Sequence, residues 1–285
     1  MRITIYTIIG LLSVAIVFYF MGRSDGSMRQ NTADIVIVPP GEFLYRTSGE
    51  FNKNNRPIDA PLKKIKFTKP LTIMRAQVSE MDYQKCVDAG GCKPLSQSNP
   101  SRSDFPVVGV SWQDATDYAN WLSNQTSEIW RLPTDIEWSY VAGSRFKDDA
   151  LALGEDADFA QRWIARYDLE SARKLEGDHK TQKIGSFGEN EKGLLDIAGN
   201  VWEWTNSCFS RNNLNADGQP ANEPFVVCGI RITAGQHRAY VSDFIRDARG
   251  GGCAAGIPPS NLGFRLIKGE EGSSLFEKLG SIIRR

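Results

Sequence analysis

The hydrophobic positions form three kinds of run. From Ile3 to Met21 they follow one another with no charged residue among them. Further on they alternate in short stretches. Asp34-Ile35-Val36-Ile37-Val38 predicts a strand stopped by Pro39-Pro40-Gly41, because proline offers no ladder donor and glycine permits a turn. Ile65-Lys66-Phe67 through Leu71-Thr72-Ile73 gives a second strand signal, with Thr47 to Lys64 as a polar loop between them. Elsewhere the spacing is helical: Glu80 to Val87 predicts one helix. Ala115, Tyr118, Ala119 and Leu122 predict another, fed by a strand over Pro106 to Trp112 and capped by Ser111 with Asp114. Thr134 with Glu137 is a second capping box, leading a helix whose apolar side is Ile136, Trp138, Tyr140 and Val141. Trp202-Glu203-Trp204 alternates as a strand does. Both indoles then face a core, and Glu203 stands on the other face, placed to bind a cation. Residues Arg145 to Asn190 are charged and irregular, with a short helix near Phe159 to Ile164, and Asn206 to Phe225 is a polar excursion.

The Ile3–Met21 run changes the expected setting. At about 1.5 Å per residue it spans roughly 28 Å, the hydrocarbon thickness of a bilayer. It ends in Tyr19-Phe20-Met21 rather than in small residues, which suits an uncleaved anchor better than a signal peptide. The expected organisation is an anchor over 1–22, a linker over 23–33, a folded domain over 34–268 and a tail over 269–285. This places the chain in a bacterial inner membrane, single-pass, with its domain in the periplasm. In the tail, Leu275, Phe276, Leu279, Ile282 and Ile283 form one apolar stripe beside Lys278, Arg284 and Arg285. Such a helix docks on its own domain, or on lipid or a membrane partner.

Composition narrows the chemistry. Lys plus Arg and Asp plus Glu number 34 each, for a net charge of zero, so no nucleic-acid partner is expected. Cys86 and Cys92 bracket a loop that Gly90-Gly91 can turn, and a local disulfide is expected there. Two of Cys208, Cys228 and Cys253 can also pair. The sequence does not decide which, and Cys208 with Cys228, at the ends of a hairpin excursion, is the preferred pair. The other reading leaves all three as buried thiols. Spacing of the C-x-x-C kind is absent, which argues against thioredoxin-type redox work and zinc ribbons.

The ordered set Val38 to Phe43, Pro106 to Trp112, Arg131-Leu132-Pro133-Thr134-Asp135-Ile136-Glu137-Trp138, Gly193 to Trp204 and Asn261-Leu262-Gly263-Phe264-Arg265 resembles the formylglycine-generating enzyme, or sulfatase-modifying factor, family. The resemblance implies an α+β fold of C-type-lectin-like type, rich in loops. It also implies a structural Ca2+ site formed by the side chains of Asp196 and Glu203 and the carbonyls of Gly199 and Val201. Oxidases of the family hold copper(I) on two cysteines separated by four residues. The matching positions here fall near Gly235 and Tyr240, and no C-x4-C occurs in the chain. Copper(I) prefers sulfur ligands, so no copper is expected. A branch using non-haem iron needs more histidines than His179 and His237.

The segment replacing the cysteine pair carries His237, Arg238, Tyr240, Asp243, Arg246 and Arg249. In the family this region lines the substrate groove. Guanidinium forks suit carboxylate or peptide recognition, although pairing of these arginines with the aspartates would equally brace the loops. The expected function is a membrane-anchored accessory or binding module that engages an envelope protein or membrane complex, with no catalytic residue assigned. The alternative is a maturation oxidoreductase acting on a peptide or peptide-derived substrate. A branch that matures the siderophore pyoverdine without the cysteine pair resembles this family too.

Overall fold

The computed structural model describes residues 33–95, 100–148, 150–154, 157–175, 180–243 and 261–269. The Ile3–Met21 run, the tail stripe, His179, Arg246, Arg249 and Cys253 lie outside the described residues. No helix among the described residues is long and apolar enough to cross a membrane.

Strands β1 (Ile35–Val38), β6 (Leu71–Met74), β7 (Trp130–Arg131) and β12 (Ile267–Lys268) form one antiparallel sheet in the order β1-β6-β12-β7. β2 (Gly41–Arg46) pairs with β5 (Leu62–Phe67) alone. The larger sheet runs β10-β9-β8-β3-β4, from β3 (Glu50–Lys53), β4 (Arg56–Ile58), β8 (Trp202–Leu214), β9 (Phe225–Ala234) and β10 (Arg238–Ser242). The short β11 (Leu262–Gly263) adds to β8 in parallel. Helices α1 (Glu80–Asp88), α2 (Trp112–Thr126), α3 (Asp135–Ala142) and α4 (Phe159–Leu175) complete the mixed α/β fold.

Both capping boxes form. Ser111 Oγ accepts from the Asp114 amide while the Asp114 carboxylate accepts from the Ser111 amide, and Thr134 and Glu137 do the same for α3. Each satisfies donors that a helix start leaves open. Cys86 and Cys92 are bonded, as are Cys208 and Cys228 across β8 and β9.

Four expectations need correction. Thr47 to Lys64 is not all loop: Asn54 and Asn55 both take left-handed backbone, with φ of 51° and 61°, and turn β3 into β4 as a tight hairpin does. The stretch Ile65 to Ile73 is two strands in different sheets, divided at Lys69-Pro70. Pro106 to Trp112 makes only one isolated bridge, Pro106 to Ser79, rather than a strand. The first part of the excursion after Asn206 is β8, which runs to Leu214 because β3 pairs with its polar end in parallel.

Two apolar clusters fill the interior. One gathers Tyr118, Leu122, Trp204, Phe264 and their neighbours; the other gathers Ile73, Phe67, Trp138, Tyr140 and Leu194.

Candidate functional site

β8 enters beside β11, with Glu203 opposite Gly263, so the chain just beyond β11 brings Arg265 to Glu203. Arg265 Nε donates to Glu203 Oε2 and Nη2 to Oε1, each at 2.7 Å. Gln77 Nε2 donates to Oε1 at 2.9 Å and Trp138 Nε1 to Oε2 at 2.8 Å. Neither charged side chain is exposed. A carboxylate offers about four lone-pair sites, and four protein donors take them. Arg265 goes on to donate to the carbonyls of Arg75 and Leu195. The cation that Glu203 binds is thus a guanidinium. Its indole neighbours differ: Trp204 is fully buried and donates to the Val110 carbonyl, whereas Trp202 is only partly covered.

Asp196 stands in a turn where it, Ala198 and Asn200 all have left-handed backbone, with φ of 54°, 58° and 60°. Its Oδ1 accepts from the Phe187 amide and its Oδ2 from the Gly185 amide, and its carbonyl accepts from Gln77. The Gly199 carbonyl accepts from the Val201 amide at 2.7 Å. Calcium requires six to eight oxygens. With Glu203 saturated and Asp196 clamping a neighbouring loop, the set Asp196, Gly199, Val201 and Glu203 does not fit a calcium ion in this arrangement. Gln77 Oε1 is buried with no hydrogen-bond partner, but one amide oxygen does not supply the missing ligands.

Arg238 is likewise internal. Its Nε lies 3.0 Å from both Asp135 oxygens, Nη2 donates to the Arg46 carbonyl, and its guanidinium stacks over Tyr45 and Phe146. Tyr45 Oη donates to Asp135 Oδ2 at 2.5 Å. Burial, then the Asp135 charge, pushes the Tyr45 phenol well above its ordinary range, against a smaller opposite pull from Arg238. Asp135 also opens α3, where the helix dipole favours its charge, and its amide donates to Ser207. Arg131 grips Glu137 with two hydrogen bonds of 2.7 Å. The segment Arg131 to Trp138 therefore ties α3 to its surroundings through nearly every polar side chain.

Of the described residues singled out in the replaced segment, His237, Tyr240 and Asp243 are partly accessible. Gly235-Gln236-His237 is the loop of the β9–β10 hairpin, closed by the Gly235 amide on the His237 carbonyl. The His237 ring meets Trp202 edge-on at 4.4 Å, and Nδ1 lies 2.7 Å from the Arg238 carbonyl. A carbonyl only accepts, so Nδ1 carries the proton there. Tyr240 Oη accepts from the Gly49 amide, and its ring packs edge-on against Phe209. Asp243 is tied through its backbone, its carbonyl to the Trp112 amide and its amide to the Gly229 carbonyl. Beneath the hairpin, Arg231 stacks on Trp112 and donates to the Asn206 carbonyl and to Cys208 Sγ.

The positions near which a copper-binding pair would fall hold no sulfur, and Gly235 leaves little space for any side chain. A Cβ added at Gly235 would lie 2.8 Å from Trp202 Cδ2, closer than such atoms pack. Tyr240 is committed to Gly49.

Sequence reasoning missed Gln77, Tyr45 and the structural part played by Asp135. Asp135 stands inside the Arg131–Trp138 motif, while Gln77 and Tyr45 carry no local signal.

Residues 22–270 match the family described as "Sulfatase-modifying factor enzyme 1-like domain". Over 113 residues the chain is 37% identical to the formylglycine-generating enzyme of Streptomyces coelicolor, an alignment covering 38% of this chain and 34% of that one. Over 109 residues it is 34% identical to the Bos taurus protein named inactive C-alpha-formylglycine-generating enzyme 2, covering 37% of this chain and 34% of that one. The chain thus spans about a third of the length of these curated relatives. Among solved structures, PvdO from Pseudomonas aeruginosa superposes with a TM-score of 0.52 over 83% of this chain and 94% of that one, at 22% identity, a likeness of fold.

Proposed function

Because this chain belongs to the sulfatase-modifying factor enzyme 1-like family, we propose that it is a membrane-anchored envelope protein whose domain grips a partner rather than oxidising a substrate. The observation that carries this reading is the hairpin at Gly235: the positions expected to hold a thiol pair hold a glycine pressed on Trp202 and a tyrosine bonded to Gly49. What the hairpin offers instead is His237, edge-on to the partly covered Trp202, and Tyr240, which packs on the buried Phe209, aromatic groups of the type that anchor protein interfaces. The two disulfides suit an oxidising compartment, and the Ile3–Met21 run is long enough to tether the domain there.

The test is cross-linking in intact bacterial membranes followed by mass spectrometry. Recurrent cross-links from one membrane protein to the β9–β10 hairpin, lost in His237→Ala/Tyr240→Phe at unchanged melting temperature, are expected. The same cross-links at the same yield in that variant would refute the assignment of this face.

A further inference from the structure

We propose that helix α4 lies on the surface of a lipid bilayer, aromatic side down. This rests on the membrane tether proposed above. α4 is amphipathic in the inverted sense. At about 100° per residue, Phe159, Trp163 and Tyr167 form one stripe, Ala165 lies roughly opposite it and Arg162 lies to one side of it. Arg162 is the inward anchor: it is 6% exposed, Nη1 meets Asp59 at 3.1 Å and Nη2 reaches the Gly154 carbonyl. Asp59 also accepts from the amides of Leu151 and Ala152, fixing the approach to the helix. The aromatic stripe therefore faces away from the domain. Phe159, Trp163 and Tyr167 are 72%, 59% and 61% exposed, and Ile164 beside them is 53% exposed. A helix seated on a globular domain normally buries such a stripe. A contiguous exposed patch of this kind marks an interaction surface.

The chemistry of the stripe and the chain's expected reach select lipid as the occupant. Trp and Tyr are the residues that settle at the membrane–water interface, with apolar rings and polar edges. Here Trp163 and Tyr167 are stacked at 5.7 Å. Apart from the inward Arg162, the helix sequence carries Arg166, Arg173 and Lys174 against Asp168 and Glu170, a small basic excess of the sign that suits an anionic headgroup layer. The eleven residues from Gly22 to Thr32 separate the apolar run from the first described residue of the domain. Even fully extended they reach only about 35–40 Å. A domain tethered this way stays within reach of a bilayer surface, and the aromatic rings of α4 are of the kind that rest on one.

The full chain is reconstituted into vesicles of phosphatidylcholine and phosphatidylglycerol, with and without brominated acyl chains, and tryptophan emission is recorded. Bromine quenches only indoles that reach it. Emission is expected to fall in brominated vesicles, and Trp163→Phe is expected to remove that fall. Phe159→Asp/Tyr167→Asp, which keeps Trp163 but charges the stripe, is expected to remove it too, with unchanged circular dichroism. Flotation of the chain with the vesicles but equal emission in both would overturn the helix assignment and leave the tether standing. Failure to float would overturn both. A concentration-dependent dimer in detergent that Trp163→Ser dissolves would assign the stripe to self-association instead and overturn the proposal.

Discussion

Arg265 holds Glu203 by two parallel hydrogen bonds of 2.7 Å, and neither side chain reaches solvent. The pair also joins the two apolar clusters, since Trp138 of one donates to Glu203 and the adjacent Trp204 belongs to the other. Removing one member leaves the other charge buried and unpaired, which typically costs about 3–5 kcal/mol. Arg265→Met and Glu203→Gln should each lower the guanidinium midpoint at constant slope, and Glu203→Leu/Arg265→Met should cost much less than the sum of the single changes. Additive losses would contradict the pairing.

With the Glu203 lone pairs taken and Asp196 bonded to two loop amides, stability should not depend on calcium. The melting temperature in EDTA should equal that in millimolar calcium. A rise of several degrees on adding calcium, abolished by Asp196→Asn, would show that these ligands rearrange around an ion.

Tyr45 gives a pH signature. Its phenol is raised by burial and by Asp135. A raised folded value means the unfolded chain loses its proton first, at pH about 10. The contribution of Tyr45 is therefore full below that pH and is lost as pH climbs above it. Tyr45→Phe should cost about 1.5–3 kcal/mol near neutrality, the worth of a hydrogen bond to a charged group. The difference from wild type should shrink above pH 10. A constant difference up to pH 11 would contradict the assignment.

The two disulfides should separate under reductant. Cys86 is fully buried whereas Cys228 is exposed, so dithiothreitol should open Cys208–Cys228 first, as read by alkylation and mass spectrometry. In the chain-entropy model, loss of this bridge over a separation of 20 costs about 3 kcal/mol, and loss of the bridge over a separation of 6 about 2. Alkylation of Cys86 before Cys228 would contradict the burial order.

Much of what the sequence made legible was local. The capping boxes at Ser111 and Thr134 depend on residues three apart, and both formed. The pairing of Cys208 with Cys228 followed from a hairpin between them. Illegible features were those decided by distant partners. Glu203 read as cation-binding, which is chemically right, but its cation lies 62 residues downstream, and nothing local separates an arginine from a metal there. Arg238 read as a groove residue because it is charged; only the fold sets it against Asp135 and Tyr45, 103 and 193 positions before it in sequence. The polar end of β8 looked like loop because its order comes from backbone pairing with β3 and β9, while its side chains beyond Phe209 are partly or fully exposed and so show no apolar alternation.

The central claim is that this domain, lacking sulfur at Gly235 and Tyr240, binds without oxidising. Purified full-length protein is incubated aerobically with copper(I) and a cysteine-containing sulfatase-type peptide, and the peptide mass is followed. The account predicts an unchanged peptide. Conversion of the cysteine to an aldehyde, absent in a boiled control, would contradict it.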